Sequence, residues 1–244
     1  MTQTSTLSPP FARGFAAGAV GGRAQRWRPG LGEACRHAEI FAPDDEASGA
    51  GMALALALHG GVRDGRDERA WLWVQDKAAR RLGGRPYRPG LPAALRHRLI
   101  HVAADTPETA LFALEEGLRC RELAFVIGEI AGNPRALDLT ASRRLSLAAE
   151  KHGVPLWLVR LGAARDLGSA RLRWQTRAAR STPPRWNPRA PGSPAWDAEL
   201  FRAHTYQPGH WILRDDAHLL AEPAAAPDPG DRLPGAGARP LAAG

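Results

Sequence analysis

The residues best suited to do chemistry lie in the turn between a short apolar run, 38–42, and an alanine- and leucine-rich segment, 47–59, whose composition predicts a helix. In phosphate-binding loops of the pattern GxxxxGK[ST], such a turn binds nucleotide. Backbone amides hold the phosphates, a lysine reaches their oxygens and a hydroxyl helps to hold Mg²⁺. Here the sequence over 42–52 is Ala-Pro-Asp-Asp-Glu-Ala-Ser-Gly-Ala-Gly-Met. It predicts the architecture of a phosphate loop without the lysine.

The charge of this turn argues against ordinary ATP hydrolysis. Ala50 stands near the position that needs lysine, and Asp44, Asp45 and Glu46 place negative charge beside the expected phosphates. Repulsion of a triphosphate at close range in a partly dry loop costs on the order of several kcal/mol. An alternative stays open, in which Ser48 and Gly49 bind nucleotide with an arginine supplied by another molecule. The candidate residues of this degenerate nucleotide loop are Pro43, Ser48, Gly49, Gly51 and Glu129.

Glu129 belongs to this set because it follows an apolar run, 123–127, that predicts a strand. Walker B motifs end a strand with an acid that holds the magnesium shell, usually an aspartate. The Gly128-Glu129 step is a poor version of that motif. We favour the plainer interpretation, a solvated acid at a strand end.

A second candidate site is basic and aromatic. Arginines at 171, 173 and 177 flank Trp174, and they are followed by Arg180, Arg185 and Trp186. The arginines could contact the phosphates of single-stranded DNA while Trp174 stacks on a base. The alternative, which we favour, is an edge strand with an arginine-lined polar face and Trp174 packed on the core. The candidate DNA-binding residues are Arg171, Arg173, Trp174 and Arg177.

Strands that alternate with helices must position these residues. Strands are predicted at 38–42, 70–74, 99–102, 123–127 and 154–161. Helices are predicted at 47–59, at 107–119 after Thr106 and Pro107, and from about 137 to Gly153. A glycine-, proline- and arginine-rich loop is predicted at 80–92. This alternation is typical of parallel β-α-β units.

Beyond Gly162 the alternation stops, and strands are predicted at 170–177, 199–206 and 210–214. The fold class is therefore α/β, with a mainly parallel sheet flanked by helices and an antiparallel extension at the C-terminal side. We predict a flexible leader over 1–31, one domain over 32–214 and a disordered tail over 215–244, because the end segments are rich in Gly, Pro, Ala and Arg. Trp27, Trp196 and Trp211 are predicted to be core or interface aromatics.

Composition excludes several classes of protein. With 44% hydrophobic and 24% charged residues the chain is globular, and its net charge of +8 comes almost wholly from arginine. Cys35 and Cys120 form no metal-ligand or disulfide pattern, and no serine lies in a GxSxG motif. The sequence has no signal-peptide pattern, and its longest apolar run, 52–58, is too short for a membrane span. We expect a cytoplasmic protein without a resident metal or cofactor.

Several blocks of the sequence resemble the ImuA family. The block 137–145, Leu-Asp-Leu-Thr-Ala-Ser-Arg-Arg-Leu, is the most specific of them. Weaker similarity lies in 71–81 with the following Gly-Arg-Pro-Tyr and Pro-Gly-Leu segments, and in 113–118. The resemblance covers about 32–213 and implies a RecA-like core. The segment 167–174 resembles the strand that follows the second DNA-binding loop of RecA, and the loop itself is much shortened here, to 162–168.

The resemblance implies a function in damage-induced (SOS) mutagenesis. A non-catalytic, RecA-like accessory protein would act in error-prone translesion synthesis, bind an ImuB-like Y-family protein and help recruit an error-prone C-family DNA polymerase to damaged DNA. RecA and single-stranded DNA are further candidate partners, and the protein would be associated with the nucleoid when DNA is damaged. Two alternatives remain: a DNA-dependent ATPase that modulates RecA filaments, and a SulA-like inhibitor of cell division.

Overall fold

The computed structural model describes residues 25–29, 36–59, 67–216 and 219–223, with side chains described over 26–29, 36–59 and 67–216. Within those ranges the strands are β1 Gln25–Arg26, β2 His37–Ala42, β3 Ala70–Gln75, β4 Leu99–Ala103, β5 Leu123–Ala131, β6 Leu156–Leu161, β7 Leu172–Ala178, β8 Ala195–Ala203, β9 Tyr206–Gln207, β10 Gly209–Asp215 and β11 Leu219–Pro223. The helices are α1 Ser48–Ala57, α2 Lys77–Gly83, α3 Ala93–Arg96, α4 Pro107–Arg119 and α5 Leu139–His152, with a 3-10 turn at Arg88–Gly90.

Nine strands form one sheet in the order β11-β10-β8-β7-β2-β6-β5-β3-β4. In this order, the six neighbouring strands β7, β2, β6, β5, β3 and β4 pair in parallel. Strands β8, β10 and β11 continue the sheet in antiparallel pairs. The α/β class, the mainly parallel sheet and the C-terminal antiparallel extension are therefore confirmed. A separate parallel pair joins β1 to β9.

Helices cover both faces of the parallel part, which is why its central strands are mostly apolar on both faces. On one face α1 packs with buried tryptophans, and on the other α4 and α5 pack against alternate residues of the same strands. In β5, for example, Phe125 and Ile127 belong to the first core and Val126 and Ile130 to the second. No helix within the described ranges is long and apolar enough to cross a membrane.

Local sequence explains the ends of the two longest helices. The side chain of Thr106 accepts a hydrogen bond from the Thr109 amide at 3.2 Å, and Pro107 occupies the first turn of α4. Asp138 accepts from the Ala141 amide at 2.7 Å and begins α5, which ends at Gly153 with φ of +75°. The predicted bounds of α4 are confirmed, as is the end of α5 at Gly153.

Three predictions about single elements are wrong. The strand predicted over 199–206 is β8, which begins at Ala195 and ends at Ala203. Part of the loop predicted over 80–92 belongs to α2, because Asp76 caps that helix by accepting from the Ala79 amide at 2.6 Å. Strand β5 continues through Glu129 to Ala131, because β3 and β6 pair with it on both sides.

Both end segments also contribute strands. Residues 25–29, within the predicted leader, contain β1 and bury Trp27 to 3% exposure. Strand β11 pairs with β10 inside the segment predicted as a tail. Backbone pairing and tryptophan packing stabilise these short pieces despite their loop-like composition. Residues 1–24 and 30–31 of the predicted leader and residues 217–218 and 224–244 of the predicted tail lie outside the described part of the chain.

Candidate nucleotide and nucleic-acid sites

In the acidic turn between β2 and α1, one carboxylate of the turn itself accepts the nearby hydrogen-bond donors. Glu46 Oε1 accepts a hydrogen bond from Ser48 Oγ at 2.6 Å and another from the Ala178 amide, at the end of β7, at 2.9 Å. A helix N-terminus attracts anions, because its amides point outward and the helix dipole is positive there. Just before α1, the Glu46 carboxylate is instead held by the Ser48 hydroxyl and by an amide of β7.

The glycines assigned to the nucleotide loop have a packing function. A Cβ on Gly49 would lie 2.7 Å from Val159 Cγ1 and 2.8 Å from Ala42 Cβ, and a Cβ on Gly51 would lie 3.2 Å from Trp196 Cζ2. These positions let α1 approach the sheet closely. Pro43, the remaining residue of the predicted loop, is half-buried directly after β2.

Glu129 is not the solvated strand-end acid that the sequence suggested. It lies inside β5 with 3% of its surface exposed, and its Oε2 accepts a hydrogen bond from Gln75 Nε2 at 2.6 Å. Gln75 also donates to the Gly84 carbonyl at 3.0 Å, and its Oε1 lies 2.9 Å from His101 Nε2. The prediction was wrong because β5 is longer than its apolar run.

Burial changes the acid–base behaviour of Glu129. Loss of solvent raises the pKa of its carboxyl to about 7, against the opposing effects of Gln75 and Trp73, and the Asp76 carboxylate adds to the rise. Asp76 is itself 1% exposed, and its Oδ2 accepts no hydrogen bond from the described residues. These acids and Gln75 lie at or near the carboxyl ends of β3 and β5, the edge where parallel sheets commonly bind ligands.

The four predicted DNA-binding residues are divided between core and surface. Trp174 is fully buried, with its ring centroid 4.7 Å from that of Trp27, so it presents no face to a base. Arg173 is 3% exposed, and only Arg171 and Arg177 reach the surface. Arg171 forms an ion pair with Glu150 at 2.7 Å. The favoured alternative is correct about Trp174 but wrong about the edge, because β7 lies between β2 and β8.

Arg173 instead belongs to a buried ion network. Its Nε donates to Glu39 Oε2 at 2.6 Å, and its Nη1 and Nη2 donate to the Asp166 carbonyl and Oδ1 at 2.6 and 3.2 Å. Arg160, 1% exposed, donates to Asp166 Oδ2 at 3.0 Å and to the Gly132 carbonyl at 3.2 Å. Both guanidinium groups also lie over the ring of Phe41. The network replaces solvent around these charges with fixed partners.

This network and its neighbours fix the loop 162–168, which the sequence resemblance predicts to be a shortened DNA loop. Asn133 Nδ2 donates to Asp166 Oδ2 at 2.8 Å, and the Ala164 amide donates to Asn133 Oδ1 at 2.8 Å. At the end of the loop, the Ser169 amide donates to Ser142 Oγ at 2.9 Å. The loop is therefore attached to Asn133 just after β5, to Arg160 of β6 and to Arg173 of β7, and the residue that follows it is attached to α5.

Sequence reasoning missed Gln75, Asp76 and Asp166. A signal existed for the first two, because polar residues directly after the apolar run 71–74 mark the carboxyl end of a buried parallel strand. No local pattern marks Asp166, whose partners Arg160 and Arg173 lie on two different strands. Among the described residues, no group of three or more His, Cys, Asp or Glu side chains could hold a metal ion.

No protein-family model matches the chain. Among curated proteins, the chain is similar to Protein ImuA from two strains of Caulobacter vibrioides, NA1000/CB15N and ATCC 19089/CB 15. Each relative is 35% identical over 187 residues, in a match that covers 70% of this chain and 70% of the relative.

Proposed function

The chain belongs to the ImuA family, and from this premise we propose that it is a non-catalytic accessory protein in SOS-induced, error-prone translesion DNA synthesis. It binds an ImuB-like Y-family protein and helps recruit the error-prone C-family polymerase to damaged DNA.

The observation that carries the non-catalytic part is the position of Glu46. Its carboxylate holds the Ser48 hydroxyl and the Ala178 amide, and the segment 43–51 contains no lysine or arginine. A triphosphate would have to displace this carboxylate and approach Asp44 and Asp45, both exposed in the same turn. The geometry therefore favours a loop that does not bind nucleotide over a functional nucleotide-binding loop.

The fixed loop 162–168 supports an accessory function as well. Strand exchange needs long loops that grip and move DNA strands. Here the loop is short, and Asp166 joins it to two buried arginines. A loop with this many partners suits a scaffold for other proteins.

Two surfaces of the fold could dock the ImuB-like partner. Strand β4 ends the sheet and exposes 47% of Ile100, and helix α4 exposes 65% of Phe112. An added strand would pair with the outer edge of β4, beside the hydrogen bond that Arg88 donates to the Leu99 carbonyl, whereas a helix would pack on α4.

A pull-down of the purified protein with the ImuB-like protein tests the proposal. We expect a complex at micromolar concentrations, lost in Ile100→Asp if the sheet edge docks the partner or in Phe112→Asp if the helix does. Leu167→Asp, which changes another exposed apolar side chain (74%), is the matched control and should bind normally. Failure of the unmodified protein to bind would overturn the proposal.

A DNA-dependent ATPase is the second candidate, and one observation favours it. Glu129 and Asp76 place buried carboxyl groups near the carboxyl ends of neighbouring parallel strands, the edge where an ATPase needs its magnesium and water ligands. An ATPase assay with single-stranded DNA distinguishes the two functions. We expect no turnover above background. Turnover that disappears in Ser48→Ala and Glu129→Gln would replace the accessory function with a motor.

A further inference from the structure

The connection between β3 and β4 is strongly basic after its first residue, the buried Asp76. Over 77–98 it carries seven lysine and arginine residues and no aspartate or glutamate. It contains α2, the 3-10 turn and α3 and leads into β4, the terminal strand of the sheet. The exposed cationic residues from α2 to the turn are Lys77, Arg81, Arg85 and Arg88.

Two arginines of this connection donate to the backbone at or next to β4, and the charge of a third acts on a residue of that strand. Burial and then the positive charges of Arg85, Arg80 and Arg88 lower the pKa of His101 in β4. Arg88 donates to the Leu99 carbonyl at 3.2 Å and Arg80 to the Ala104 carbonyl at 2.9 Å. Backbone hydrogen bonds thus hold two of the three arginines in place along one edge.

Little negative charge opposes this cluster. Asp105 lies 3.4 Å from Arg80, but its own side chain is 87% exposed and therefore well screened. Asp76 and Glu129, the other acids near this end of β3, are buried beneath the surface. The cluster keeps an excess of positive charge that faces solvent.

An aromatic ring stands within the same surface. Tyr87, between Arg85 and Arg88 in sequence, is 75% exposed. Its ring lies against the 3-10 turn, since a Cβ on Gly90 would come within 3.1 Å of Tyr87 Cδ1. A ring held at a rigid turn and flanked by cations is the arrangement that stacks on an unpaired base while the cations contact its phosphates.

We propose that the surface formed by Arg81, Arg85, Tyr87 and Arg88 is a binding site for single-stranded DNA. The arginines contact successive phosphates and Tyr87 stacks on a base, which a duplex would keep within its own stack. This surface is distinct from the arginines of β7, and it goes beyond the proposed function, which requires only protein partners. An acidic protein could also bind the positive charge of this surface, but it would offer no unpaired base on which Tyr87 could stack.

Fluorescence anisotropy with a labelled oligothymidine of about 15 nucleotides tests the site on the full chain. We expect Arg85→Glu to weaken binding by about tenfold or more and to lower the slope of log affinity against log salt by about 0.7 for each phosphate that the variant no longer neutralises. Tyr87→Ala should weaken binding about fivefold, and Tyr87→Phe should retain it. Arg143→Glu changes an exposed arginine on α5 by the same charge and should alter binding by less than about twofold.

Three outcomes would overturn the assignment: no binding at low salt, equal loss in Arg85→Glu and Arg143→Glu, and displacement of the oligonucleotide by polyglutamate as readily as by unlabelled oligothymidine. The second would mean a diffuse charge effect and the third an acidic protein partner. The measurement uses no ImuB-like protein, so its failure is separate from a failure of the pull-down.

Discussion

At the scale of single residues, the surroundings and available partners decide whether an arginine is buried in the core or exposed at the surface. Arg173 and Arg171 are two positions apart, yet the first is 3% exposed and bound to Glu39 and Asp166. The second is exposed and forms an ion pair with Glu150. Composition shows only that both are arginines, because it carries no information about the partners that a buried charge requires.

The buried carboxyl of Glu129 should make the stability of the protein depend on pH. Its pKa is raised from 4.5 to about 7, so the folded state keeps a proton that the unfolded state has released. The protonated carboxyl therefore stabilises the folded state fully below the unfolded pKa of 4.5, and this contribution, at most about 3 kcal/mol, is lost as pH rises towards 7. Because glutamine does not titrate, we expect the stability of Glu129→Gln not to fall over this pH range. Its free energy of unfolding relative to the unmodified protein should rise by about 2–3 kcal/mol from about pH 5 to pH 8.

Urea denaturation at several pH values measures this difference. His37, whose pKa is lowered to about 3 mainly by burial, changes stability with the opposite sign but contributes equally to both proteins and cancels. Glu68→Gln, at an exposed position, is the control. Parallel pH profiles for Glu129→Gln and the unmodified protein would contradict the assignment of a raised pKa.

At the scale of elements, the turn before α1 has the architecture of a phosphate loop, but its residues serve packing. The turn, the serine and the glycines of a phosphate loop are present, but the Glu46 carboxylate binds the Ser48 hydroxyl and the Ala178 amide. Gly49 packs against Ala42 and Val159 of the adjacent strands. The helix has become a packing element of the first core.

Gly49→Ala tests this packing function. The new methyl group would lie 2.7 Å from Val159 Cγ1 and 2.8 Å from Ala42 Cβ. Neither atom is at the end of a long, flexible side chain that could move away. Overpacking typically costs about 1–3 kcal/mol, which should exceed the gain of about 0.5–1 kcal/mol from better helix propensity. We expect a net loss of about 1 kcal/mol or more in the free energy of unfolding. Gly83→Ala, where no atom lies within 4 Å of the added methyl group, should be neutral or slightly stabilising.

At the scale of the whole molecule, a short N-terminal segment joins distant parts of the C-terminal extension. The ring centroid of Trp27 lies 4.7 Å from that of Trp174 on β7 and 5.7 Å from that of Trp211 on β10. The rings meet edge to face, a favoured geometry for aromatic pairs. Strand β1 then pairs with β9, so segments far apart in sequence become one packed unit.

Trp27→Ala should therefore destabilise the whole fold. Removing a buried indole typically costs about 3–5 kcal/mol, because the cavity closes only in part. Trp186→Ala is the matched control: that side chain is 81% exposed, and its loss should change stability by less than about 0.5 kcal/mol. Thermal or urea unfolding compares the two. Equal effects would mean that Trp27 does not pack as described.

The parallel α/β core could be predicted from local sequence. Apolar runs bounded by turn residues located the core strands, and Thr106, Pro107 and Gly153 set helix ends. These features are local, because capping, propensity and apolar periodicity act within a few residues. The absence of a lysine from the segment 43–51 could likewise be read directly from the sequence.

The use of the charged and aromatic residues depends instead on how the strands assemble. Trp174 and Arg173 proved to be buried, Glu129 proved to lie inside a strand, and Glu46 proved to bind the amide of Ala178, 132 positions away. The environment of a charge is set by which strands become neighbours and by what covers them. Those are long-range pairings that no local pattern in this chain encodes.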